Sequence, residues 1–450
     1  MKRGILKKAV GFTMACVMAF SFAGCAGNSE SGSASAGGSS AGSAAAGGQK
    51  VIKFFHRFPD EPYNGFIESK LHEYEKSHPD IKFDIMSAQN QDYKEKIKVV
   101  VGGDDTPDIF FSWAGDFTER FIRENLILDL TPYMDKDPEW KNSLLENQMS
   151  IYTTKDGMIY GIPFRLDSKQ FFYNTEIFEK NGIEVPKTFD DLLAACAKLK
   201  AVGITPIAYG NSEPWAGLHY IGTLNQIYVP DSVREKDYEP TTGSFTDPGY
   251  VQAMKSYQKL LPYMTENPDG VKPDMARSMF AMGQAAIYYG ELIEIPYIKT
   301  DGPDLKFGMF KFPEVVGAKG NQEILTGAPE GFVISSKTKY PQECVDFLKW
   351  FLGKEVGTEQ CQKIGWFNAA KDTTSGLTDQ SLIDGYKVVS EAKQMSEWLD
   401  NALYSTVSKE YQEEVSKLTN GTVSPEEAMK KIQAKAKEAQ TLVKSGQKGE

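Results

Sequence analysis

Apolar residues in the globular part of the chain recur first at strand spacing and then at helix spacing. Short apolar runs predict strands at 51–55, 81–85 and 109–111, and apolar residues on one helical face predict a helix at 64–74 and another after Asp92. This β-α-β-α-β order implies a parallel sheet with right-handed crossovers. Because ligands of such sheets bind at the carboxyl ends of strands, the loops after these strands are candidate binding loops.

The alternation of strands and helices continues through the middle of the chain. A strand is predicted at 170–173, a short helix follows Asn174, and Thr188 with Asp191 forms a capping box that opens another helix. The remaining predictions are strands at 205–209, 305–310 and 331–335, and helices from Tyr340 onward.

Length, charge and motif content narrow the class of protein. The 450 residues exceed what one hydrophobic core usually serves, so two lobes are expected. A formal net charge of −11 disfavours nucleic acid as a partner. The chain has no G-x-S-x-G, H-E-x-x-H or P-loop motif, and its four histidines have no metal-ligand spacing, so neither a metal nor a cofactor is expected.

The N-terminal segment resembles the export signal of bacterial lipoproteins. Residues 1–8 are basic, residues 9–22 are apolar, and Phe22-Ala23-Gly24-Cys25 resembles a lipobox. The resemblance implies a signal peptide at 1–24, a lipid on Cys25 and a place on the outer face of a Gram-positive cell membrane. An ordinary signal peptide with an incidental cysteine is the alternative. Residues 25–49, rich in Gly, Ser and Ala, are expected to form a flexible tether.

Three further cysteines, Cys196, Cys344 and Cys361, are an odd number set in helical patterns. They are expected to be core residues rather than parts of a disulfide framework.

Motifs in the middle of the chain resemble the bacterial extracellular solute-binding proteins of the maltose-binding type. Phe172-Tyr173-Asn174 and the run from Pro186 to Leu192 are similar to the segment that crosses between the lobes in that family. The resemblance implies an α/β fold of two lobes, like the type II periplasmic binding proteins, with a hinge and an inter-lobe ligand cleft. The implied division is 51–168 plus 305–340 for lobe 1 and 169–304 plus 341–450 for lobe 2.

The same resemblance places ligand-binding residues in loops of both lobes. The implied positions are Asp60, Glu61, Trp113, Asp116, Asp167, Glu213, Trp215, Gly290, Glu291 and Trp398. Arg57, in the first of these loops, is a further candidate, because its positive charge would allow the ligand to be an acidic saccharide. Arg165 has no match in the family; it is expected to pair with Asp167, and the alternative is that it binds an acidic sugar. Packing between helices is the alternative for Trp398, and Leu292 stands where the maltose-binding type has a stacking Trp.

Aromatic residues interleaved with carboxylates suit the recognition of a sugar. An aromatic ring covers the flat C–H face of a pyranose, and one carboxylate accepts hydrogen bonds from two neighbouring hydroxyls.

The resemblance therefore implies the substrate-binding subunit of an ABC importer. Such a protein is expected to act as a monomer, to capture a carbohydrate by hinge closure without catalysing a reaction, and to deliver it to separate permease subunits. Two alternatives remain open. A secreted glycoside hydrolase would need two carboxyl groups about 5–9 Å apart, one with a raised pKa. A solute-binding protein for a non-sugar ligand would share the fold.

Overall fold

A computed structural model describes residues 48–103 and 105–445. The predicted signal peptide, Cys25 and nearly all of the predicted tether lie outside these residues. The described strands, in chain order, are β1 (Lys50–His56), β2 (Ile81–Ser87), β3 (Ile109–Trp113), β4 (Ile162–Arg165), β5 (Lys169–Asn174), β6 (Thr205–Ala208), β7 (Ala285–Glu291), β8 (Phe307–Phe310), β9 (Leu325–Thr326), β10 (Glu330–Ile334) and β11 (Met395–Ser396).

Helices surround these strands. In chain order they are α1 (Tyr63–Ser77), α2 (Asn90–Val100), α3 (Asp116–Arg123), α4 (Thr131–Asp135), α5 (Pro138–Ser143), α6 (Glu146–Met149), α7 (Thr175–Lys180), α8 (Phe189–Ala201), α9 (Trp215–Tyr228), α10 (Asp231–Tyr238), α11 (Pro248–Leu260), α12 (Pro273–Ala281), α13 (Ile295–Asp301), α14 (Pro341–Phe351), α15 (Lys354–Ile364), α16 (Gln380–Ser390), α17 (Leu399–Ala402), α18 (Ser405–Thr419) and α19 (Pro425–Lys444). Across the described residues, no helix combines the length and the apolar character that crossing a bilayer requires.

Two sheets define two lobes. The first sheet has the order β2-β1-β3-β10-β4, with β1 parallel to β2 and β3, and β10 antiparallel to β3 and β4. The second sheet has the order β6-β7-β5-β8, with β5 antiparallel to both of its neighbours. We call the body around the first sheet lobe 1 and the body around the second sheet lobe 2.

Three neighbouring segments connect the lobes, and we call them the hinge. Residues 166–168 join β4 to β5, residues 311–329 return to lobe 1, and residues 391–398 lead back to lobe 2. The second and third segments pair as β9 and β11, where the Gly327 N–H donates to the Ser396 carbonyl at 3.0 Å. Gly327 has a φ of +134° and packs on the first segment, where a Cβ would lie 2.5 Å from the Ser168 Cα. A side chain at this position would therefore push two hinge segments apart.

The structure confirms most of the predicted elements. Thr188 and Asp191 form the capping box of α8, and β5 is followed by α7 as expected. The helix predicted after Asp92 begins earlier, at Asn90. Cys196, Cys344 and Cys361 are free and buried, as predicted.

Two parts of the predicted lobe division are wrong. The strand predicted at 305–310 was expected in lobe 1, but β8 pairs with β5 in lobe 2, where Phe310 stacks on Phe171 with ring centres 5.2 Å apart. The helices α14, α15 and α16 were expected in lobe 2 but pack on lobe 1. Phe347 of α14 lies edge-on to Phe54 of β1, with ring centres 5.9 Å apart. In both cases the element packs on its lobe through aromatic residues that are far apart in the sequence.

Candidate functional site

The wall that lobe 1 contributes beside the hinge is built on a buried triad of charged side chains. Arg57 follows β1, Arg165 ends β4 and Glu330 begins β10, which runs in the opposite direction, so the three meet at one edge of the sheet. Arg165 donates a hydrogen bond to Glu330, and Arg57 Nη2 lies 3.6 Å from the same carboxylate. Arg165 and Glu330 are only 2% and 3% exposed. Arg165 therefore forms its ion pair with Glu330, and not with Asp167 as expected.

Trp113 ends β3 directly beside this triad, paired with Glu330 across the two strands. Its ring is 3% exposed. The Arg57 guanidinium carbon lies 5.3 Å from the ring centre and the Lys94 ammonium nitrogen lies 4.7 Å from it. At these distances both cations interact with the ring electrons, so Trp113 holds cations and offers no open face in this arrangement.

The wall that lobe 2 contributes presents a more accessible aromatic side chain. Trp215 opens α9 and is half-buried, and its indole N–H donates to Glu213 at 2.6 Å. This hydrogen bond fixes the orientation of the ring. Of the three predicted stacking tryptophans, Trp215 has the most accessible ring, because Trp113 and Trp398 are buried.

His219 lies at the centre of the lobe 2 wall, one helical turn after Trp215. Its ring stacks on Trp398, with centres 4.3 Å apart and planes at 21°, and covers that face of the indole. His219 Nδ1 lies 3.5 Å from Glu291, and Nε2 lies 3.8 Å from Asp400. Burial lowers the pKa of His219 in spite of the two carboxylates, so the imidazole is neutral at neutral pH.

Two buried carboxyl groups meet where the first hinge segment passes the end of β7. Asp167 and Glu291 lie next to each other, and burial, together with the negative charge of Glu291, raises the pKa of Asp167 well above its ordinary value. Burial alone would also raise the pKa of Glu291, but Lys169, His219 and Arg165 lower it to about 2. Lys169 Nζ lies 3.4 Å from the Glu291 carboxylate. The pair therefore holds one proton, on Asp167, and one negative charge, on Glu291.

One ion pair links the two walls directly. Lys94 of lobe 1 lies 3.2 Å from Asp400 of α17, which packs on lobe 2, and a similar contact joins Lys94 to Asn401 at 3.3 Å. Burial raises the pKa of Asp400, but Lys94 and His219 more than offset this effect and lower it to about 2. Asp400 is therefore charged across the physiological range.

These contacts connect most of the predicted site residues into one group that spans both lobes. We call this group the cleft cluster; it contains Arg57, Lys94, Trp113, Arg165, Asp167, Lys169, Glu213, Trp215, His219, Glu291, Glu330, Trp398 and Asp400.

Four predicted residues lie apart from the side-chain contacts of the cleft cluster. Asp60 and Glu61 are exposed; Asp60 accepts from Gln89 at 2.7 Å, and Glu61 accepts from the Gly65 N–H at 3.2 Å. Asp116 is buried and pairs with Arg123 at 2.7 Å. Gly290 lies inside β7, where a Cβ would come within 2.3 Å of the Tyr288 ring, so packing accounts for this glycine.

Several members of the cleft cluster were not among the predicted site residues. They are Lys94, Lys169, His219, Glu330 and Asp400. Helix spacing contained a signal for one of them, because His219 follows Trp215 by four residues and so shares its face of α9. Lys94 and Asp400 are 306 residues apart, and their pairing could come only from the fold.

The cleft cluster can exchange hydrogen bonds with a ligand in both directions. Buried polar atoms without a hydrogen-bond partner in the described part of the chain include the donors Arg57 Nε and Arg165 Nε and the acceptor Asp400 Oδ1. A ligand that both donates and accepts, as a hydroxyl does, complements such a set. No group of three His, Cys, Asp or Glu side chains within residues 48–103 and 105–445 is placed to hold a metal ion.

Comparisons with known proteins agree with this two-lobed architecture. The chain is similar to an ABC transporter extracellular-binding protein of Pyrococcus horikoshii, with 26% identity over 318 residues that cover 67% of this chain and 70% of that protein. It is also similar to a melibiose/raffinose/stachyose-binding protein of Bacillus subtilis, with 23% identity over 322 residues that cover 68% of this chain and 69% of that protein. Among solved structures, a chitin oligosaccharide binding protein superimposes with a TM-score of 0.78 and 23% identity, covering 88% of this chain and 100% of the other.

A family model matches two thirds of the chain. The model described as bacterial extracellular solute-binding protein matches residues 59–358, which contain both sheets except β1 and include the first two hinge segments. The chain belongs to the bacterial extracellular solute-binding proteins.

Proposed function

We propose that this chain captures a carbohydrate, an oligosaccharide, between its two lobes and delivers it to the permease of an ABC importer. One observation carries the proposal: aromatic rings and carboxylates from both lobes meet in the cleft cluster, directly beside the hinge. Trp215 offers a half-buried face for a sugar ring, and Glu213 and Glu291 lie on the same side of lobe 2 to accept hydroxyl hydrogens.

The candidate binding groups lie on both lobes, so a ligand that contacts all of them requires the lobes to close around it. A ligand held on Trp215 that also reaches the Arg57–Glu330–Arg165 triad makes contacts available only when the lobes are close together. Such contacts stabilise the closed state by population shift, with the hinge segments taking up the rotation.

The names of relatives support carbohydrate as the ligand class. Besides the two proteins with saccharides in their names, a multiple sugar-binding protein of Streptococcus mutans is 22% identical over 309 residues. Members of this family are binding proteins that act outside the cytoplasm. Delivery to a permease, with ATPase subunits on separate chains, is part of the proposal.

The Asp167–Glu291 pair invites comparison with a glycoside hydrolase, because one carboxyl has a raised pKa and the other a lowered one. In a hydrolase the two carboxyl groups flank the scissile bond and stand about 5–9 Å apart. Here the two carboxyl groups lie next to each other and each shifts the pKa of the other, so they do not stand on opposite sides of a space that could hold a glycosidic bond. We therefore propose that this chain binds its sugar without cleaving it.

The anchoring of the protein rests on the sequence. We propose that Cys25 carries the lipid that holds the chain on the outer face of a Gram-positive membrane, and that the chain acts as a monomer. Labelling with a radioactive or alkyne-modified palmitate tests this proposal. The label should follow the wild-type chain into the membrane fraction and be absent from the Cys25→Ala variant.

Thermal unfolding of residues 48–450 against a panel of mono- and oligosaccharides tests the ligand class. A sugar that binds only the folded protein, at 100 times its dissociation constant, adds about 2.7 kcal/mol to the free energy of unfolding and visibly raises the melting temperature. We expect one group of oligosaccharides to do so and the Trp215→Ala variant to lose the shift.

The other outcomes contradict parts of the proposal. Release of reducing ends from the sugar during the assay would indicate a hydrolase. No shift with any saccharide, but a shift with peptides or other solutes, would leave the fold standing and reject carbohydrate as the ligand. Trp350→Ala is the control, because Trp350 is a half-buried tryptophan on the outer surface of lobe 1.

A further inference from the structure

Two charged groups that meet across the cleft are fixed in different lobes. Lys94 is in α2, where its neighbour Tyr93 packs on Phe55 of β1 with ring centres 4.5 Å apart. Asp400 is in α17, and Ser408 of α18 donates a hydrogen bond to its backbone carbonyl at 2.8 Å. Both α17 and α18 pack on α9 of lobe 2. A rotation that opens the lobes therefore separates Lys94 from Asp400.

The contact between these two groups is close and largely shielded from water. Lys94 Nζ lies 3.2 Å from an Asp400 carboxylate oxygen and 3.3 Å from the side-chain oxygen of Asn401. The Lys94 and Asp400 side chains are only 14% and 6% exposed. Solvent and salt screen a pair at this depth less than they screen a surface pair, so its separation costs more free energy.

Other groups of the cleft cluster orient both partners. The Lys94 ammonium nitrogen lies 4.7 Å from the centre of the Trp113 ring, an attractive cation–π distance. On the other side, His219 Nε2 lies 3.8 Å from Asp400. Burial alone would raise the pKa of Asp400, but Lys94 and His219 lower it to about 2, so the group is a carboxylate at neutral pH. All of these groups are side chains of the protein, so the pair does not need a sugar to form.

Backbone packing beside the pair lets the lobes approach this closely. Gly115, directly before α3 of lobe 1, lies against α17. A Cβ on Gly115 would come within 2.9 Å of the Asn401 carbonyl oxygen and 3.1 Å of the Ala402 Cα. The φ of +82° at this position also favours glycine. The small residue thus permits the approach that brings Lys94 to Asp400.

A second ion pair between the lobes is far more exposed. Lys155 of lobe 1 pairs with Glu239, which follows α10 of lobe 2, and their side chains are 84% and 40% exposed. Exposed pairs contribute little to stability. Removal of this pair is therefore a useful comparison for removal of the shielded one.

We propose that Lys94 and Asp400 form a latch that holds the two lobes together when no sugar is bound. The latch makes the closed arrangement a populated state of the free protein. A sugar then reaches the cleft cluster only while the pair is broken, so the latch slows both capture and release. The latch itself does not depend on the class of ligand, whereas its effect on capture rests on the proposed function.

Distances between two spin labels test the latch in the protein comprising residues 48–450 with no sugar added. Labels attached through Lys96→Cys and Lys409→Cys report on the two lobes, because both positions are exposed, on α2 and on α18. The native Cys196, Cys344 and Cys361 stay unlabelled, because burial raises the pKa of each thiol to about 12. We expect one predominant short distance when Lys94 is present.

Lys94→Met should add a longer distance. It should shift the ratio of closed to open lobes about tenfold toward the open form, the effect of losing a hydrogen bond to a charged group. Asp400→Asn removes the charge of the other partner and should act in the same direction. Lys94→Arg, which can still pair with Asp400, should keep the short distance.

Two further variants are controls for the loss of a lysine. Lys98→Met removes a lysine one turn along the same helix, whose ion pair with Glu95 lies within α2, and should change nothing. Lys155→Met removes the exposed inter-lobe pair and should shift the distances less than Lys94→Met does. A long distance alone in the presence of Lys94, or the same distances with and without Lys94, would overturn the latch.

Stopped-flow mixing tests the effect on capture. With stachyose or chitotriose as the probe, Lys94→Met should associate several times faster than the wild type and release the sugar faster, because more of the free protein is open. Unchanged or slower association would overturn the effect on capture. Failure of both sugars to bind would contradict the proposed function for these saccharides, and the label distances would still decide the latch.

Discussion

The two walls of the cleft differ in how accessible their aromatic side chains are. On lobe 1, Glu330 is shared by two arginines, and two cations lie over the Trp113 ring. On lobe 2, Trp215 is half-buried with one hydrogen bond to Glu213. Both walls retain buried polar atoms without a hydrogen-bond partner among the described residues, so the accessible face of Trp215 is what distinguishes lobe 2.

This difference suggests a division of roles between the lobes. The groups of lobe 1 are held in place by one another, so they contribute mainly to the stability and shape of the closed cleft. The accessible groups of lobe 2 are expected to contribute mainly to affinity. Substitutions on the two walls should therefore produce different phenotypes.

The largest effect is expected from Glu330→Gln on lobe 1. The substitution leaves two buried guanidiniums without their shared carboxylate, and loss of one partner from a buried ion pair costs about 3–5 kcal/mol. Urea unfolding measures this loss in the free energy of unfolding. Glu323→Gln, which breaks the exposed Lys311–Glu323 pair, is the matched control and should cost less than about 1 kcal/mol. Equal costs for the two variants would show that the triad is not buried.

Trp215→Ala on lobe 2 should act on affinity instead. Loss of a central aromatic contact costs about 2 kcal/mol in binding, or roughly thirtyfold in the dissociation constant. Because the ring is only half-buried, the free energy of unfolding should change much less. Calorimetry with the bound sugar and urea unfolding of the free protein measure the two quantities. A variant that unfolds easily yet binds normally would reverse the roles that we assign to the lobes.

Asp400→Asn tests the contact that joins the walls. The pKa of Asp400 is lowered from 3.8 to about 2 in the folded protein, so its charge stabilises the fold above pH 4 and that contribution disappears as the pH falls toward 2. The shift corresponds to about 2 kcal/mol. The difference in unfolding free energy between wild type and variant should therefore shrink by about that amount from pH 6 to pH 2. A difference that is independent of pH would mean that Asp400 has an ordinary pKa.

The smallest effect is expected from Asp167→Asn. Because burial raises the pKa of Asp167, the group is already protonated at neutral pH, and an amide replaces it without removing a charge. The free energy of unfolding at pH 7 should change by less than about 1 kcal/mol. Glu291→Gln should cost more, since it removes the counter-ion of Lys169. The opposite order would place the negative charge on Asp167.

Local signals in the sequence predicted much of the fold. The capping box of Thr188 and Asp191 involves residues three apart, and its backbone and side-chain partners are fixed by the helix itself. The placement of β8 could not be predicted in this way. Its strand pattern suits either sheet, and only the packing of Phe310 on Phe171 decides between them.

The loops that contribute to the candidate site could be identified from the sequence, but the contacts between their side chains could not. Trp113, Trp215 and Trp398 were identified by resemblance, yet the sequence does not reveal that cations lie over Trp113 or that His219 covers a face of Trp398. Those contacts join residues from distant parts of the chain. The exposure of each tryptophan, which decides whether it can stack on a ligand, emerges only when the lobes are assembled.

Sugar binding between the lobes is tested most directly by a crystal structure of residues 48–450 with the saccharide that raises the melting temperature. We expect one sugar ring against the face of Trp215, with hydrogen bonds to groups of both lobes beside the hinge. A saccharide bound to the outer surface of one lobe, with the face of Trp215 left open, would contradict it.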